Sequence, residues 1–289
     1  MELDSGTEQY DKPILTIGLP VYNGEQTIKK VIDSILTQSF KNFILVISDN
    51  ASTDLTENVC KEFVKKDNRI QYIRQEKNIG LLNNWNFLLK NTTTQYFMWI
   101  EADDYYDSEF IKKNIEFLES HKNFVGSISN SIYFDGLDKS PQSIKSTGSY
   151  ENKVLSYLKF NRGTGIFAIY RTKDFQKSMV FDENAVWDLQ ILLKIIKFGD
   201  LNVLDEVLHY KSAKGISSGS LISYVIESKI HISKILFPFW PVTIFCINEF
   251  GIKFVFKNFL LFLRLNGNGV VFLAKDFFKF CRNSLTHKK

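Results

Sequence analysis

The sequence predicts an α/β chain built on a mainly parallel sheet whose polar loops gather along one edge. Three observations predict it. Short apolar runs at 14–19, 43–47, 70–74 and 96–100 alternate with segments whose apolar residues recur at helical spacing, the pattern of strands wound by crossover helices. Polar and acidic residues crowd just after these strands, on the edge where open parallel sheets bind ligands. The run Tyr96-Phe97-Met98-Trp99-Ile100 carries no formal charge and reads as a strand buried on both faces, and Glu101, Asp103 and Asp104 arrive at its end.

Taken in order, 14–19 (ILTIGL) is a first buried strand closed by Pro20, followed by turn chemistry at 20–24. Residues 25–37 place Ile28, Val31, Ile32 and Ile35 on one helical face. The strand at 43–47 ends in Ser48-Asp49-Asn50-Ala51-Ser52-Thr53-Asp54, a helix runs over 55–64, and 70–74 is a third strand. A loop and helix follow at 78–86. Beyond the acids come a helix at 110–120 and a strand at 124–128, then a polar, Ser- and Lys-rich stretch at 132–150 that reads as a mobile loop. The run 166–170 is expected to return to the sheet, a helix opens at Asp188, and 201–210 reads as the closing strand.

Composition bounds the possibilities. With 289 residues, 44% hydrophobic and 24% charged, the chain can build one large domain, or one domain with an appendage, and is not disordered. Residues 1–12 are acidic and polar without an apolar stretch, so no secretory signal is read and a cytoplasmic location is expected. Cys60, Cys246 and Cys281 are odd in number and far apart, matching neither a disulfide framework nor a zinc site. Charge is uneven: residues 1–214 hold 26 Lys and Arg against 29 Asp and Glu, whereas 215–289 hold 10 against 3.

Acids at the end of a buried strand suggest a hard metal ion and a phosphate, because a carboxylate against a core needs a cation or polar ligand. The other reading is a solvated turn in which Asp104 or Asp107 caps the next helix. A dinucleotide fold is excluded at the first turn, where Gly18 to Asn23 offers one misplaced glycine and a proline instead of G-x-G-x-x-G, and no phosphate loop of the G-x-x-x-x-G-K-[ST] type occurs. Nucleotide binding therefore has to use side chains and a metal.

The string LTIGLPVYNGEQTIKKVIDSILTQSFKNFILVISDNASTD, then NIG, then YFMWIEADD, resembles the amino-terminal half of the family 2 glycosyltransferases, inverting enzymes of the GT-A fold. The resemblance covers 14 to about 217, strongly as far as Asp104. It implies a nucleotide-diphospho-sugar donor, commonly of UDP, and Mg²⁺ or Mn²⁺. It places Tyr22 against the nucleotide base and Asp49 as acceptor of a hydrogen bond from it, with Ser52 or Asp54 left to cap the next helix. Pro20, Asn23, Glu25, Asn78, Gly80, Asn86, Glu101 and Ala102 fall in the nucleotide site, and Asp103 on the metal. Asp188, eleven residues before Gly199, matches the general base that takes the acceptor hydroxyl's proton. Trp187 and Lys214 lie on the acceptor side.

Four departures accompany the match. Glu101 stands where aspartate is usual, Asn84-Trp85-Asn86 replaces Ala-Arg-Asn, and Trp187 replaces glutamate. Lys211-Ser212-Ala213-Lys214 lacks the histidine that often completes the metal site, and His209 reads as structural.

The tail at 218–289 changes character. Residues 235–247 are uncharged but hold Pro238 and Pro241, too short and interrupted to span a bilayer, and the last 55 residues carry 12 of the 26 phenylalanines among lysines and arginines. The expected organisation is a flexible 1–12, a GT-A domain at 13–217 and a helical, basic, aromatic-rich tail that docks on the inner face of an anionic membrane. The resemblance then implies transfer to a glycan, lipid-linked, in bacterial surface polysaccharide synthesis such as that of lipopolysaccharide, with no nucleic acid partner. A catalytically silent glycan-binding or scaffold member stays open, as does a soluble transferase whose tail is a packing or dimer element.

Overall fold

The structure is a computed structural model and describes residues 12–133, 146–160, 164–182, 184, 186–212 and 237–286. Its first half alternates strand and helix: β1 (Leu15–Val21), α1 (Ile28–Leu36), β2 (Phe43–Asp49), α2 (Thr56–Val64), β3 (Ile70–Arg74), α3 (Leu81–Lys90) and β4 (Tyr96–Trp99). β1 pairs in parallel with β2 on one side and β4 on the other, and β3 extends the sheet beyond β2. The chain thus builds outward from β1, then crosses back to its other side. Loops after β1, β2, β3 and β4 meet at this reversal, which is where a ligand site forms in open α/β sheets.

The apolar pattern accounts for these elements. Leu15, Ile17 and Leu19 are fully buried, and Ile28, Val31, Ile32 and Ile35 form the stripe that seats α1 on the sheet. α1 begins three residues later than the periodicity predicts, because a turn closed by Thr27 N–H and Ile28 N–H on Gly24 O takes the first positions. β1 continues through Pro20 to Val21. Gly18 O accepts from Ile100 N–H on the β4 side, so the missing N–H of Pro20, two residues on, faces the same side beyond the end of β4. The proline removes no ladder bond.

The second half holds β5 (Tyr105–Tyr106), α4 (Phe110–Ser120), β6 (Phe124–Tyr133), α5 (Tyr150–Phe160), β7 (Ile169–Arg171), α6 (Thr172–Lys177), α7 (Trp187–Ile195) and β8 (Asp200–Lys211). The sheet runs β3-β2-β1-β4-β7-β6-β8-β5, with β7 antiparallel to both β4 and β6 and β5 antiparallel to β8. Of the predicted 132–150 loop, 132–133 continue β6, 134–145 lie outside the described residues, and Ser146 bridges Leu201. The expected strand at 166–170 is corrected: a 3-10 turn occupies Thr164–Phe167 and the strand starts at Ile169. Gly165 lies against Leu192 and Leu201 and its carbonyl accepts from Tyr170 Oη at 2.6 Å, which coils the chain beneath α7. Gly199 admits the start of β6, since a Cβ there would lie 2.8 Å from Asn123 O.

Three tail helices follow, α8 (Trp240–Phe250), α9 (Ile252–Lys257) and α10 (Phe259–Thr286). Val242, Cys246, Phe254, Phe262 and Leu265 are buried, Phe250 packs on Tyr150 with ring centroids 5.0 Å apart, and Lys197 pairs with Glu249 at 2.8 Å. Trp240, Ile252, Phe256, Phe259, Leu260 and Leu263 are exposed. Among the described residues no helix is long and apolar enough to cross a membrane.

Candidate active site

The loops after β1 and β2 are zipped together. Asn23 adopts φ +52° and its N–H donates to Ser52 Oγ at 2.9 Å, while Thr53 N–H donates to Asn23 Oδ1 at 2.8 Å. Glu25 N–H donates to Asp54 Oδ2 at 3.1 Å, and Glu25 Oε2 accepts from Leu55 N–H at 2.9 Å, where α2 begins. Asn23 and Glu25 therefore build the ledge on which Tyr22, 50% exposed, stands.

Asp49 is fully buried at the end of β2. Its Oδ1 accepts from Ser52 N–H at 2.8 Å, and its Oδ2 from Tyr72 Oη at 2.5 Å and Arg74 Nη1 at 2.9 Å. Of the expected pair Ser52 or Asp54, Asp54 holds Thr56 N–H at the start of α2 at 3.0 Å, but the expectation that Asp49 is left free is corrected, since it holds Ser52 N–H, Tyr72 and Arg74. Burial and the bond to Asp49 raise the Tyr72 phenol well above its ordinary pKa. Arg74 also donates to Ser52 O at 2.8 Å and keeps 35% of its side chain exposed. Sequence reasoning missed it, although Arg74 ends β3 directly opposite Asp49 in the parallel register.

On the third loop, Asn50 donates to Asn78 Oδ1 at 3.0 Å and accepts from Ile79 N–H at 2.9 Å, and Gly80, at φ +87°, turns the chain into α3. Asn86 donates to Val180 O at 2.7 Å, and its Oδ1 is buried without a partner among the described residues. Trp85, beside it, is partly exposed.

The acid loop after β4 meets the end of β8. Asp104 is buried and takes three donors: His209 Nε2 at 2.8 Å, Lys211 Nζ at 3.2 Å and Ser212 N–H at 2.8 Å. It caps no helix. Asp107 accepts from Glu109 N–H at 2.9 Å in the turn that leads into α4. Lys211 also donates to Glu101 Oε2 at 2.8 Å and lies 4.3 Å from the centre of the Phe167 ring. Lys214 lies outside the described residues, and the cation that the structure brings to the acids is Lys211. His209 stacks on Tyr106 at 4.5 Å and is buried, in keeping with a structural role.

Electrostatics sort these groups. Burial, reinforced by the Asp104 charge and opposed by Lys211, pushes Glu101 up to about 8. Burial acts against Asp104 ionising, but His209 and Lys211 hold its carboxyl well below the usual range. Burial and the Asp104 charge raise Asp103. Among the described residues Asp103 forms no ion pair within 4 Å and no group of three or more His, Cys, Asp or Glu is arranged around a metal. Both oxygens of Asp104 already accept hydrogen bonds. Asp103, partly exposed beside Ala102, is the acid-loop carboxylate that could hold a hard ion.

Asp188 lies in the first turn of α7, where Oδ1 accepts from Leu189 N–H at 2.8 Å. Burial raises its pKa, and no cation is among the causes. A carboxylate held this way is a stronger base than a solvated one. The neighbouring Trp187 is buried and meets Trp85 edge-on at 5.5 Å, and Trp85 lies 6.0 Å from Phe167. An aromatic wall thus runs from Trp187, the residue before Asp188, through Trp85 and Phe167 to Lys211 and the acid loop.

Residues 16–179, more than half of the chain, match the family described as Glycosyl transferase family 2. The chain is 38% identical over 107 residues to Glycosyltransferase GlyA of Streptococcus pneumoniae serotype 4, covering 36% of this chain and 15% of that protein. It is 27% identical over 219 residues to an Escherichia coli protein, UDP-Glc:alpha-D-GlcNAc-diphosphoundecaprenol beta-1,3-glucosyltransferase WfaP, covering 74% of this chain and 83% of the other. The first three curated relatives are matched over 15%, 34% and 45% of their own length, less than half of each. Among solved structures, S. aureus TarS 1-349 in complex with UDP-GlcNAc superposes with TM-score 0.59 at 19% identity, over 76% of this chain and 68% of that one. The mannosyltransferase PcManGT of Pyrobaculum calidifontis, in complex with GDP-Man and Mn2+, superposes with TM-score 0.61 at 13% identity, over 92% and 74%. With the sheet reversing at β1 and the acid loop closing on β8, the chain has the GT-A fold and belongs to glycosyl transferase family 2.

Proposed function

We propose that this protein transfers a sugar from a UDP-linked donor to a lipid-linked glycan, with inversion at the anomeric carbon, in the synthesis of a bacterial surface polysaccharide. The observation that supports the reading is a carboxylate of raised pKa with no ion pair among the described residues, Asp188, next in sequence to Trp187 at one end of an aromatic wall whose other end meets Lys211. Asp188 takes the proton of the acceptor hydroxyl as its oxygen attacks from the face opposite the diphosphate, so no covalent intermediate on the protein is needed.

The donor's nucleotide lies along the first three loops. Tyr22 offers a rigid π-face to the base. Arg74, anchored by Asp49 and Tyr72, offers guanidinium N–H groups to a base carbonyl, which suits the imide edge of uracil. A UDP donor is in keeping with WfaP, whose printed donor is UDP-Glc, and with the complex of TarS with UDP-GlcNAc.

The diphosphate needs positive charge, and the acid loop does not supply enough: even with Glu101 protonated, Asp103 and Asp104 outweigh the single charge of Lys211. A bound Mn²⁺ or Mg²⁺ supplies Lewis-acid charge to the leaving diphosphate, and Asp103 is the residue that would hold it. The complex of the mannosyltransferase PcManGT with Mn2+ supports this cofactor.

The lipid-linked acceptor is supported by WfaP, a glucosyltransferase whose acceptor is alpha-D-GlcNAc-diphosphoundecaprenol. In this reading residues 13–217 form the transferase domain, Trp187 shapes the acceptor side, and 218–289 dock at the inner face of the membrane. Exposed Phe256, Phe259, Leu260 and Leu263 beside Lys253, Lys257 and Arg264 support an interfacial tail.

A thermal-shift screen over nucleotide sugars, with and without Mn²⁺, tests the donor reading, since a ligand of the native state alone raises its stability by mass action. UDP and at least one UDP-sugar are expected to raise Tm with Mn²⁺ and to do so much less in EDTA. No shift with any uridine nucleotide would contradict the reading.

A further inference from the structure

Between the two chemical centres the wall has three members, and they differ in access. Phe167 and Trp187 are buried, while Trp85 is partly exposed. Trp85 is fixed from behind: its ring meets Trp99 at 5.3 Å, Trp187 at 5.5 Å and Phe167 at 6.0 Å, and its own carbonyl accepts from Trp99 Nε1 at 3.1 Å. Such a ring cannot retreat, so the part of it that solvent reaches is a preformed surface. In an inverting transfer the donor sugar lies between the leaving diphosphate and the general base. The wall joins Lys211 at the acid loop to Trp187, the residue before Asp188.

We propose that Trp85 is the platform on which the pyranose ring of the donor stacks, and that the site takes a neutral sugar, a hexose or N-acetylhexosamine. The assignment rests on the donor reading above. A pyranose presents a face of C–H groups, and an indole presents the large, electron-rich face that complements it. Neutrality follows from the cations present. Lys211, the cation against this wall, is already shared by Glu101 and Asp104, and with Asp103 beside them the acid loop carries, among the described residues, no surplus positive charge to receive a sugar carboxylate.

The test is calorimetric titration of the full chain in Mn²⁺ with UDP, UDP-glucose, UDP-galactose, UDP-N-acetylglucosamine and UDP-glucuronate, for wild type, Trp85→Leu and Trp85→Phe. In wild type one of the neutral donors is expected to bind tighter than UDP and to quench tryptophan fluorescence more than UDP does. UDP-glucuronate is expected to gain nothing. Trp85→Leu should lower affinity for the neutral donor about 5- to 10-fold while leaving UDP unchanged. Trp85→Phe should recover most of the donor affinity and lose the extra quenching. Circular dichroism and Tm confirm that each variant is folded, and Trp85→Phe alone decides by its quenching if Trp85→Leu does not fold. Wild type that binds UDP but gains nothing from any neutral sugar, or variants with an unchanged ratio of donor to UDP affinity and unchanged quenching, would overturn the assignment while sparing the donor reading. Wild type that binds no uridine nucleotide would overturn both.

Discussion

Lys211, the last residue of β8, reaches Glu101 at 2.8 Å and Asp104 at 3.2 Å, so one ammonium ties the closing strand to the acid loop that follows β4. With a side chain only 10% exposed, it is the counter-charge that lets acids sit against a core. Replacing Lys211 with Met leaves those acids without it. The expected cost is about 3 kcal/mol of stability in urea unfolding, and Lys211→Arg should recover much of it. A Lys211→Met protein as stable as wild type would show that the acids do not depend on this cation.

Asp103→Ala is expected to keep the fold and to lose the Mn²⁺-dependent part of UDP affinity. Asp103 is the carboxylate of the acid loop without an ion pair among the described residues, so its removal breaks no ion pair seen there. Titration of UDP in Mn²⁺ and in EDTA measures this, and equal metal dependence in variant and wild type would remove Asp103 from the metal site.

Asp188→Asn is expected to lower transfer by about 10²-fold or more while preserving donor affinity. The pH behaviour has a definite sign. Burial raises the pKa of Asp188, so its contribution to stability is present below the unfolded value of about 3.9 and is lost as pH rises through the raised folded value. The Tm of Asp188→Asn should therefore match wild type near pH 4 and exceed it at pH 7. In wild type, turnover should fall as pH drops through a pKa above the ordinary carboxylate range, the value of the base in its site. A variant that is less stable than wild type at pH 7 would mean that Asp188 is a structural acid.

Arg74→Ala should weaken UDP binding more than it weakens the fold, since the guanidinium is partly exposed and one of its bonds goes to a backbone carbonyl. Tyr22→Ala should weaken it too. If Arg74→Ala bound UDP as wild type does, the base would be read elsewhere.

The sheet edge was legible because its signals are local: branched runs, turn residues and the acids after Trp99 each sit within a few residues of one another. Asp49, Glu101 and Asp103 fall where strand ends put them. What the sequence hid is long-range. The partner of Glu101 is 110 residues away, and nothing near Glu101 announces Lys211. Arg74 closes an apolar strand and becomes visible as a site residue only when β2 and β3 are set in register. Likewise, the helices at Tyr150–Phe160 and Thr172–Lys177 lie in stretches of mixed polarity, and their buried sides are explained by contacts with distant elements: Tyr150 donates to Leu193 O, and Lys153 to Gly199 O.

The tail is expected to bind anionic vesicles in a salt-sensitive way. Each lysine or arginine near such a surface contributes about 1 kcal/mol, and each phenylalanine buried in the interface about 1.5 to 3. Sedimentation of the full chain, and of a chain ended near residue 220, with vesicles of varied anionic lipid content measures it. Full-length protein that stays in the supernatant at every composition, with the shortened chain equally soluble and active, would make 218–289 a packing or dimer element.

This chain is expected to break the sugar–phosphate bond of a UDP donor with Asp188 and Asp103 as working groups. UDP release from a panel of UDP-sugars, measured in Mn²⁺ with the full chain, Asp188→Asn and Asp103→Ala, tests it most directly. The prediction is release by wild type from at least one neutral UDP-sugar, reduced by about 10²-fold or more in Asp188→Asn and lost in Asp103→Ala. No release from any donor by folded, UDP-binding wild type, or equal release by wild type and both variants, would contradict it.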